Sequence, residues 1–411
     1  MKAGVVSFWS PEMSSSNAER KGGKSKAEQK VARRTANMIW KSKKCSSGEY
    51  GGLLEDPNPR HTQYYHSQLA ILRQPGEWSR FSKCMASPLP ATFRLSKRFP
   101  LRCLAMQDRL ANNLSQMSGR FVEVRGEVIT GHIVRRIPWV DAWQVAADSS
   151  ALAASEGLAP LASFMKREVA LGTLIRQELA SMLPALALRP RRDDSVLDMC
   201  AAPGSKTEQL LEAMNVDLSG QRSASGFYGS SGVVVANDPD PKRIETLRKR
   251  LSPSSYPQAV LVCGRAQALE KSLNGMRFDR VLCDVPCSGD GTFRKCPHLW
   301  RLFRPRSALE LHKLQLDIVI AGASLLRKQG SRLCYSTCSL NPLEDEAVVC
   351  ALLRHAKGHL RLVDLEGEEG HTTTQGNCSC SFSSPLANLA AASIWKSESG
   401  DGGCGLLCQA G

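Results

Sequence analysis

The chain has 411 residues, 42% of them hydrophobic, enough for two or three domains with buried cores, so a wholly disordered chain is excluded. Lysine and arginine number 54 against 39 acidic residues, a formal charge of +15. An excess of that size favours a polyanionic partner through counterion release, without saying which polyanion.

The fifteen cysteines, scattered from Cys45 to Cys408, are an odd number with no signal peptide read before them. A reducing compartment is therefore expected rather than a disulfide framework. No CxxC pair supplies structural-zinc spacing, and no apolar run reaches the ~18 to 20 residues of a membrane span. The chain reads as soluble, intracellular and monomeric.

The first 50 residues hold eleven Lys or Arg against four Glu, with Ser and Gly between them. That composition predicts a basic disordered arm over 1–60, with Arg20-Lys21 and Lys41-Ser42-Lys43-Lys44 available for RNA or for nuclear import. A solvated tail is the alternative. Over 61–150, aromatic and basic residues mix with the turn signals Pro75-Gly76, Pro88-Leu89-Pro90 and Ile137-Pro138-Trp139. Ala91-Thr92-Phe93-Arg94-Leu95 alternates like a half-buried strand. A small auxiliary α/β region is expected here. Helical periodicity follows over 151–187 and ends at a Pro-Arg-rich junction.

From Ser195 onward strands and helices alternate. Strands are expected at Ser195 to Met199, Gly232 to Ala236, Gln258 to Cys263, Phe278 to Cys283 and Ser331 to Tyr335; helices at Lys206 to Met214, Asp240 to Leu251 and Ser307 to Lys328. Continuous apolar strands, each followed by a helix, predict a doubly wound α/β parallel sheet over 151–365. The Gly/Ser-rich stretch 216–231 reads as a surface insertion, and 366–411 as a low-complexity tail.

Chemistry concentrates where strands end. The turn Asp198-Met199-Cys200-Ala201-Ala202-Pro203-Gly204-Ser205-Lys206-Thr207 lets backbone approach a ligand and opens a helix with unpaired N–H groups. It is neither a P-loop nor GxGxxG, and simple helix capping is the bland alternative. Asp238, ending the next strand, is placed to accept from ribose hydroxyls or to cap the following helix. Cys283-Asp284-Val285-Pro286-Cys287-Ser288-Gly289-Asp290-Gly291-Thr292 and Ser336-Thr337-Cys338-Ser339, then Asn341-Pro342 and Glu344-Asp345-Glu346, end two further strands. Adjacent strand ends would bring Cys338, Cys287 and Asp284 within reach of one another. An isolated cysteine is usually inert packing, but two with an aspartate at neighbouring termini mark a cleft.

These three strings, in this order, resemble the cofactor turn and two catalytic motifs of the Nop/Sun family of RNA cytosine-5 methyltransferases. Upstream, Tyr64-Tyr65, Gly76-Glu77-Trp78, Pro88 to Arg94, Ile137-Pro138-Trp139 and Arg176-Gln177-Glu178 resemble its eukaryotic multisite tRNA branch. The resemblance implies a Rossmann-like methyltransferase sheet with an N-terminal RNA-binding region. It implies S-adenosylmethionine held by Cys200, Ala201, Ala202, Pro203, Gly204, Ser205, Lys206, Asp238 and Asp284, and RNA, most closely tRNA, as substrate. It makes Cys338 the nucleophile at carbon 6, has Asp284 share a proton with the pyrimidine edge near N3, and has Cys287 assist product release. An RNA-binding relative without turnover, a truncated form, and a ribosomal RNA substrate remain as alternatives.

Two departures from the family pattern stand out. No strand pair is read after Val363, so the sheet is expected to lack its C-terminal strands and to leave an edge exposed. Where the family places an aspartate for the adenine, this chain has Cys263-Gly264-Arg265-Ala266, and arginine has no acceptor. The substitution Arg265→Asp is accordingly expected to tighten S-adenosylmethionine binding about tenfold, the worth of one hydrogen bond of ~1.5 kcal/mol. Calorimetry showing unchanged affinity counts against that reading.

Overall fold

Apolar strands of four to six residues can bury both faces only when they lie side by side beneath helices, and the chain does this with five of them. The computed structural model describes residues 2–8, 58–67, 76–98, 100–117, 122–124, 127–129, 133–215, 232–251, 256–327, 330–363 and 365. In chain order the strands are β1 (Lys2–Phe8), β2 (Pro90–Leu95), β3 (Val122–Val124), β4 (Glu127–Ile129), β5 (Val134–Ile137), β6 (Ala142–Asp148), β7 (Leu174–Arg176), β8 (Ser195–Asp198), β9 (Val233–Asn237), β10 (Ala259–Val262), β11 (Arg280–Asp284), β12 (Arg332–Thr337) and β13 (Leu360–Leu362).

The main sheet has the order β10-β9-β8-β11-β12-β1-β13. From β10 to β12 every pairing is parallel. Successive residues alternate between two cores. Leu197, Val235, Val281 and Leu333 face one, with Ile318 and Val319 of the helix Pro305–Ser324 and Val348 and Leu352 of the helix Glu346–His355. Val196, Val234, Leu282 and Cys334 face the other, with Leu210 and Leu211 of the helix Ser205–Asn215 and Leu247 of the helix Pro241–Leu251. This is the doubly wound α/β architecture expected from the sequence. The chain leaves β8 toward β9 and returns to β11 on its other side. That reversal opens a crevice over the carboxyl ends of β8 and β11.

The auxiliary region is a four-stranded antiparallel sheet of order β5-β6-β2-β7. Phe93, Val145 and Leu174 pack there against Leu110 of the helix Pro100–Met117 and Met165 of the helix Ala159–Ala170. Since β7 and the two helices before it, Ser149–Ala154 and Ala159–Ala170, complete this core, the boundary expected at residue 150 moves to beyond Arg176. The sequence placed it too early because helical periodicity does not say which sheet a helix covers.

A buried ionic latch joins the two units. Arg94 on β2 pairs with Glu212 of the helix Ser205–Asn215 and donates through Nε to Gln177 Oε1 at 2.8 Å. Ser96 Oγ donates to Glu212 Oε1 at 2.8 Å, and Gln177 Nε2 to Gln209 Oε1 at 2.9 Å. With both charges paired and bonded, burial of the ion pair is tolerated, and removal of one partner would strand the other.

Two expectations are corrected. Residues 2–8 are not part of a disordered arm: β1 lies antiparallel between β12 and β13, from Lys2 opposite Thr337 to Ser7 opposite Arg332, with Val6 also opposite Leu362. The edge of β12, expected to be exposed, is therefore paired. The opening Met-Lys-Ala-Gly-Val-Val-Ser-Phe carries one charge and two adjacent β-branched residues, unlike the basic stretch that follows. It suits a strand, and an open edge of backbone donors and acceptors is what a strand completes. Asn58 to Arg60, also within the expected arm, cap and open the helix Pro59–His66; the remainder of the arm (1 and 9–57), the insertion 216–231 and the tail 366–411 lie outside the described residues.

Proline in a strand flanked on both sides removes a ladder hydrogen bond whichever way its N–H points. Val6→Pro is expected to lower stability by ~1–3 kcal/mol in urea unfolding and to promote association through the opened edge. An unchanged midpoint would overturn the placement of β1.

Candidate active site

β8 ends at Asp198, and the chain turns through Met199 to Gly204 into the helix Ser205–Asn215. Backbone bonds hold the turn: Met199 N donates to Leu282 O at 2.9 Å, Ala201 N to Asn237 O at 2.7 Å and Gly204 N to Ala201 O at 2.8 Å. The Asn237 Nδ2 amide clamps Met199 O at 3.0 Å from the end of β9. Gly204 has φ +104, and a Cβ there would stand 2.5 Å from Leu247 Cδ1. Glycine is thus demanded by conformation, and a Cβ would in addition have to displace the Leu247 side chain. Ala201 and Ala202 are buried, Cys200 and Ser205 half-buried, and Pro203 exposed.

Asp198 is buried and accepts from Thr207 Oγ1 at 2.8 Å. Burial pushes its carboxyl up to about 7. Desolvation, followed by the charges of Asp198, Asp238 and Asp284, raises the Cys200 thiol well above its ordinary value, so it remains a thiol.

Asp238 stands at the end of β9 as expected, but its carboxylate is enclosed. Oδ1 accepts from Asp240 N at 3.1 Å and Oδ2 faces Arg243 Nη2 at 3.3 Å. The same guanidinium donates to Ala202 O at 2.5 Å. Arg243 therefore bridges the two segments that the sequence assigned to a cofactor. Arg265 is exposed just beyond β10.

On the other side of the crevice, Asp284 ends β11. Its Oδ2 pairs with Lys206 Nζ at 2.7 Å and its Oδ1 accepts from Ser336 Oγ at 2.8 Å. Burial by itself would lower the Lys206 ammonium, but Asp284, Asp198 and Cys338 outweigh it and hold it above its ordinary value. Lys206, read from the sequence as part of the cofactor turn, thereby joins that turn to the cysteine motifs.

Three residues past Asp284 and two past Ser336 the cysteines meet: Cys287 Sγ lies 3.1 Å from Cys338 Sγ, and Cys338 N donates to Cys287 Sγ at 3.3 Å. Its hydrogen bond to Cys338, then burial, raises the Cys287 thiol well above its ordinary value. Cys287 thus keeps its proton, while Cys338 is half-buried and interacts electrostatically with Lys206. Gly291 N donates to Cys338 O at 3.0 Å, and a Cβ on Gly291 would come within 2.8 Å of that oxygen. Glycine permits this close approach.

The structure thus brings Cys338, Cys287, Asp284 and Lys206 together, with the cofactor turn alongside. Sequence reasoning quoted Ser336, Asp290 and Tyr65 within its motifs without giving them a role, passed over Gln315, and read Glu344 only as an acid opening a helix. Glu344 and Asp290 instead turn inward onto the cysteine loops. Their presence inside otherwise small and hydroxyl-rich motifs was the available signal. Among the described residues no cluster of His, Cys, Asp and Glu is arranged to hold a metal, and no helix is long and apolar enough to cross a membrane.

Residues 185–389 match the family model described as 16S rRNA methyltransferase RsmB/F. The multisite-specific tRNA:(cytosine-C(5))-methyltransferase of Saccharomyces cerevisiae is 38% identical over 317 residues, which cover 74% of this chain and 44% of that protein. A protein of the same description from Schizosaccharomyces pombe is 38% identical over 336 residues, covering 75% of this chain and 48% of that protein. The chain spans about half the length of these curated relatives. The crystal structure of PH0851 superposes with a TM-score of 0.51 at 22% identity, covering 70% of this chain and 55% of that one, a likeness of fold.

The raised Asp198 carboxyl has a consequence for stability. Between its ordinary 3.8 and about 7 the folded chain binds a proton that the unfolded chain has lost. Its contribution is full below pH ~4 and is lost as pH rises through ~7. In Asp198→Asn, which cannot ionise, the decline between pH 4 and 8 should be shallower by roughly 4 kcal/mol, from about three units at ~1.4 kcal/mol each. Parallel urea-unfolding profiles for the two proteins would exclude Asp198 as the titrating group.

Proposed function

Because residues 185–389 belong to the RsmB/F methyltransferase family, we propose that this chain transfers a methyl group from S-adenosylmethionine to carbon 5 of a cytosine in RNA, and that the RNA is tRNA. The carrying observation is the contact of Cys287 with Cys338 beside the Lys206–Asp284 pair. The tRNA assignment rests on relatives whose names specify tRNA and whose alignment extends over 74% and 75% of this chain, more than the residues matched by the family model. A nuclear site of action and a monomeric state belong to the same reading.

The crevice fits the cofactor. Small residues and a helix N-terminus stand beside Asp238 and Asp284, carboxylates paired here with Arg243 and Lys206, which offer acceptor oxygens to the cofactor. Cys200 to Lys206 would hold it, with Asp238 accepting from the ribose once Arg243 releases that carboxylate. When bound, S-adenosylmethionine supplies an electrophilic methyl group.

The chain's own residues supply the rest. Carbon 5 of cytosine is a poor nucleophile, and addition of the Cys338 thiolate to carbon 6 raises its electron density. Lys206 and Asp284 present a proton and acceptor oxygens to the pyrimidine edge, stabilising the charge that develops there. When the adduct breaks down, the carbon 5 proton must leave as the carbon–sulfur bond breaks; Cys287, in contact with Cys338, stands where it can pass its own proton to the departing Cys338 sulfur and take the carbon 5 proton in its place. Reaching this crevice requires the base to leave its stack, and the basic auxiliary region provides contacts for the phosphates.

With labelled S-adenosylmethionine and tRNA, transfer of label is expected and Cys338→Ala should abolish it. Cys287→Ala should accumulate a covalent RNA adduct that survives a denaturing gel. Binding of RNA without transfer by the unaltered chain would sink the enzymatic reading, and an active Cys287→Ala protein that forms no adduct would reverse the roles of the two thiols.

A further inference from the structure

Behind the two cysteines lies a buried acidic pair that the reaction as described does not use. Glu344 is fully buried and Asp290 is 1% exposed. Glu344 Oε1 accepts from Ser288 N at 2.8 Å and from Gln315 Nε2 at 3.0 Å. Its Oε2 faces the Ser288 hydroxyl and the Ser339 hydroxyl, the latter at 2.7 Å. Ser288 directly follows Cys287, and Ser339 directly follows Cys338. One carboxyl therefore grips both cysteine-bearing loops.

The hydrogens around Ser339 do not suffice if both acids are ionised. Its Oγ accepts from Asn341 N at 3.0 Å and lies 2.9 Å from Asp290 Oδ1 as well as 2.7 Å from Glu344 Oε2. One hydroxyl hydrogen cannot serve two carboxylates, so one contact would set bare oxygen against bare oxygen. A single added proton resolves this, and the partners say where it resides. Asp290 Oδ1 already accepts from Leu340 N at 2.7 Å, a donor that cannot turn away, and Asp290 Oδ2 is taken by the Tyr65 hydroxyl. Among the described residues, the partners of Glu344 Oε2 are hydroxyls, which rotate.

We propose that Glu344 works as a neutral carboxylic acid, donating from Oε2 to Ser339 Oγ while Ser339 donates to Asp290, and that this positioning residue latches the Cys287 and Cys338 loops into sulfur contact. The proposal rests on the reading of those two cysteines as the reacting thiols. Burial, and the neighbouring charge of Asp290, move the Glu344 carboxyl upward, in the same direction. The other ionisable groups around it are Cys287 on its own loop, Tyr335 of β12, whose hydroxyl donates to Glu344 O, Tyr65 of the helix Pro59–His66, Asp345, which accepts from Thr337 Oγ1, and His312 of the helix Pro305–Ser324, whose Nδ1 meets Leu343 O.

Glutamine offers the same pairing as a neutral acid, one acceptor and one donor, and this separates the latch from a structural carboxylate. In the full chain, Glu344→Ala is expected to lose ~100-fold in methyl-transfer rate through misplaced thiols, and Glu344→Gln to restore most of that loss. Asp290→Asn, which turns a needed acceptor into a donor, should not be rescued in this way. Stability supplies a readout independent of turnover. An acid raised by folding contributes below its ordinary range and loses that contribution as pH rises through its folded value, so unfolding midpoints of the unaltered chain should decline more steeply from pH 5 to 9 than those of Glu344→Gln. Parallel profiles, or an inactive Glu344→Gln beside an active Asp290→Asn, overturn the proposal. Absence of transfer by the unaltered chain would count against the enzymatic reading alone, leaving the stability profiles to decide the latch.

Discussion

The parallel register of β11 on β12 sets Asp284 opposite Ser336, and just beyond these residues the two strands leave the sheet carrying Cys287 and Cys338. Because both run the same way, both deliver their carboxyl ends to one edge, and a slip of one residue would send every side chain to the opposite face. The Ser336 to Asp284 bond at 2.8 Å and the sulfur contact at 3.1 Å are consequences of that register. A carboxylate at this depth would be costly without donors, and Lys206 and Ser336 supply them. Lys206 comes from the turn after β8, the neighbour of β11 on its other side, so the switch in strand order draws cofactor turn and cysteine motifs into one crevice.

The auxiliary sheet is tied to this crevice through charge. Arg94 reaches Glu212 on the helix whose first turn carries Lys206, so β2 and the cofactor turn bear on opposite ends of one rigid element. Such a buried pair is weak evidence for stability, since apolar residues of equal volume often do as well. Its geometric demand is strict, and it fixes how the auxiliary sheet meets the helix Ser205–Asn215.

Much of this was legible from residue order. The five apolar strands, the helices between them and the three motifs fell close to their observed places, because period and composition are local properties. The resemblance to the Nop/Sun family agrees with the family model and with relatives at 38% identity. Less legible was the auxiliary boundary, since the helix Ala159–Ala170 carries no mark of the sheet it covers. The strand Lys2–Phe8 was hidden by averaging its single charge with the basic residues after it. That it pairs with residues 332–337 is a contact across more than three hundred positions, for which no local pattern speaks.

Sequence alone determined the fold class, the order of the elements and the residue types present at the strand ends, since each follows from periodicity, turn chemistry and side-chain identity. Only the tertiary structure decided which of those residues act on one another: that Lys206 pairs with Asp284, that Arg243 covers Asp238, that Cys287 retains the proton, and that Glu344 and Asp290 share Ser339. Charge, proton and hydrogen-bond partners depend on distance and burial, which chain order does not contain, and they become fixed only when strands remote in sequence stop at the same edge of a sheet.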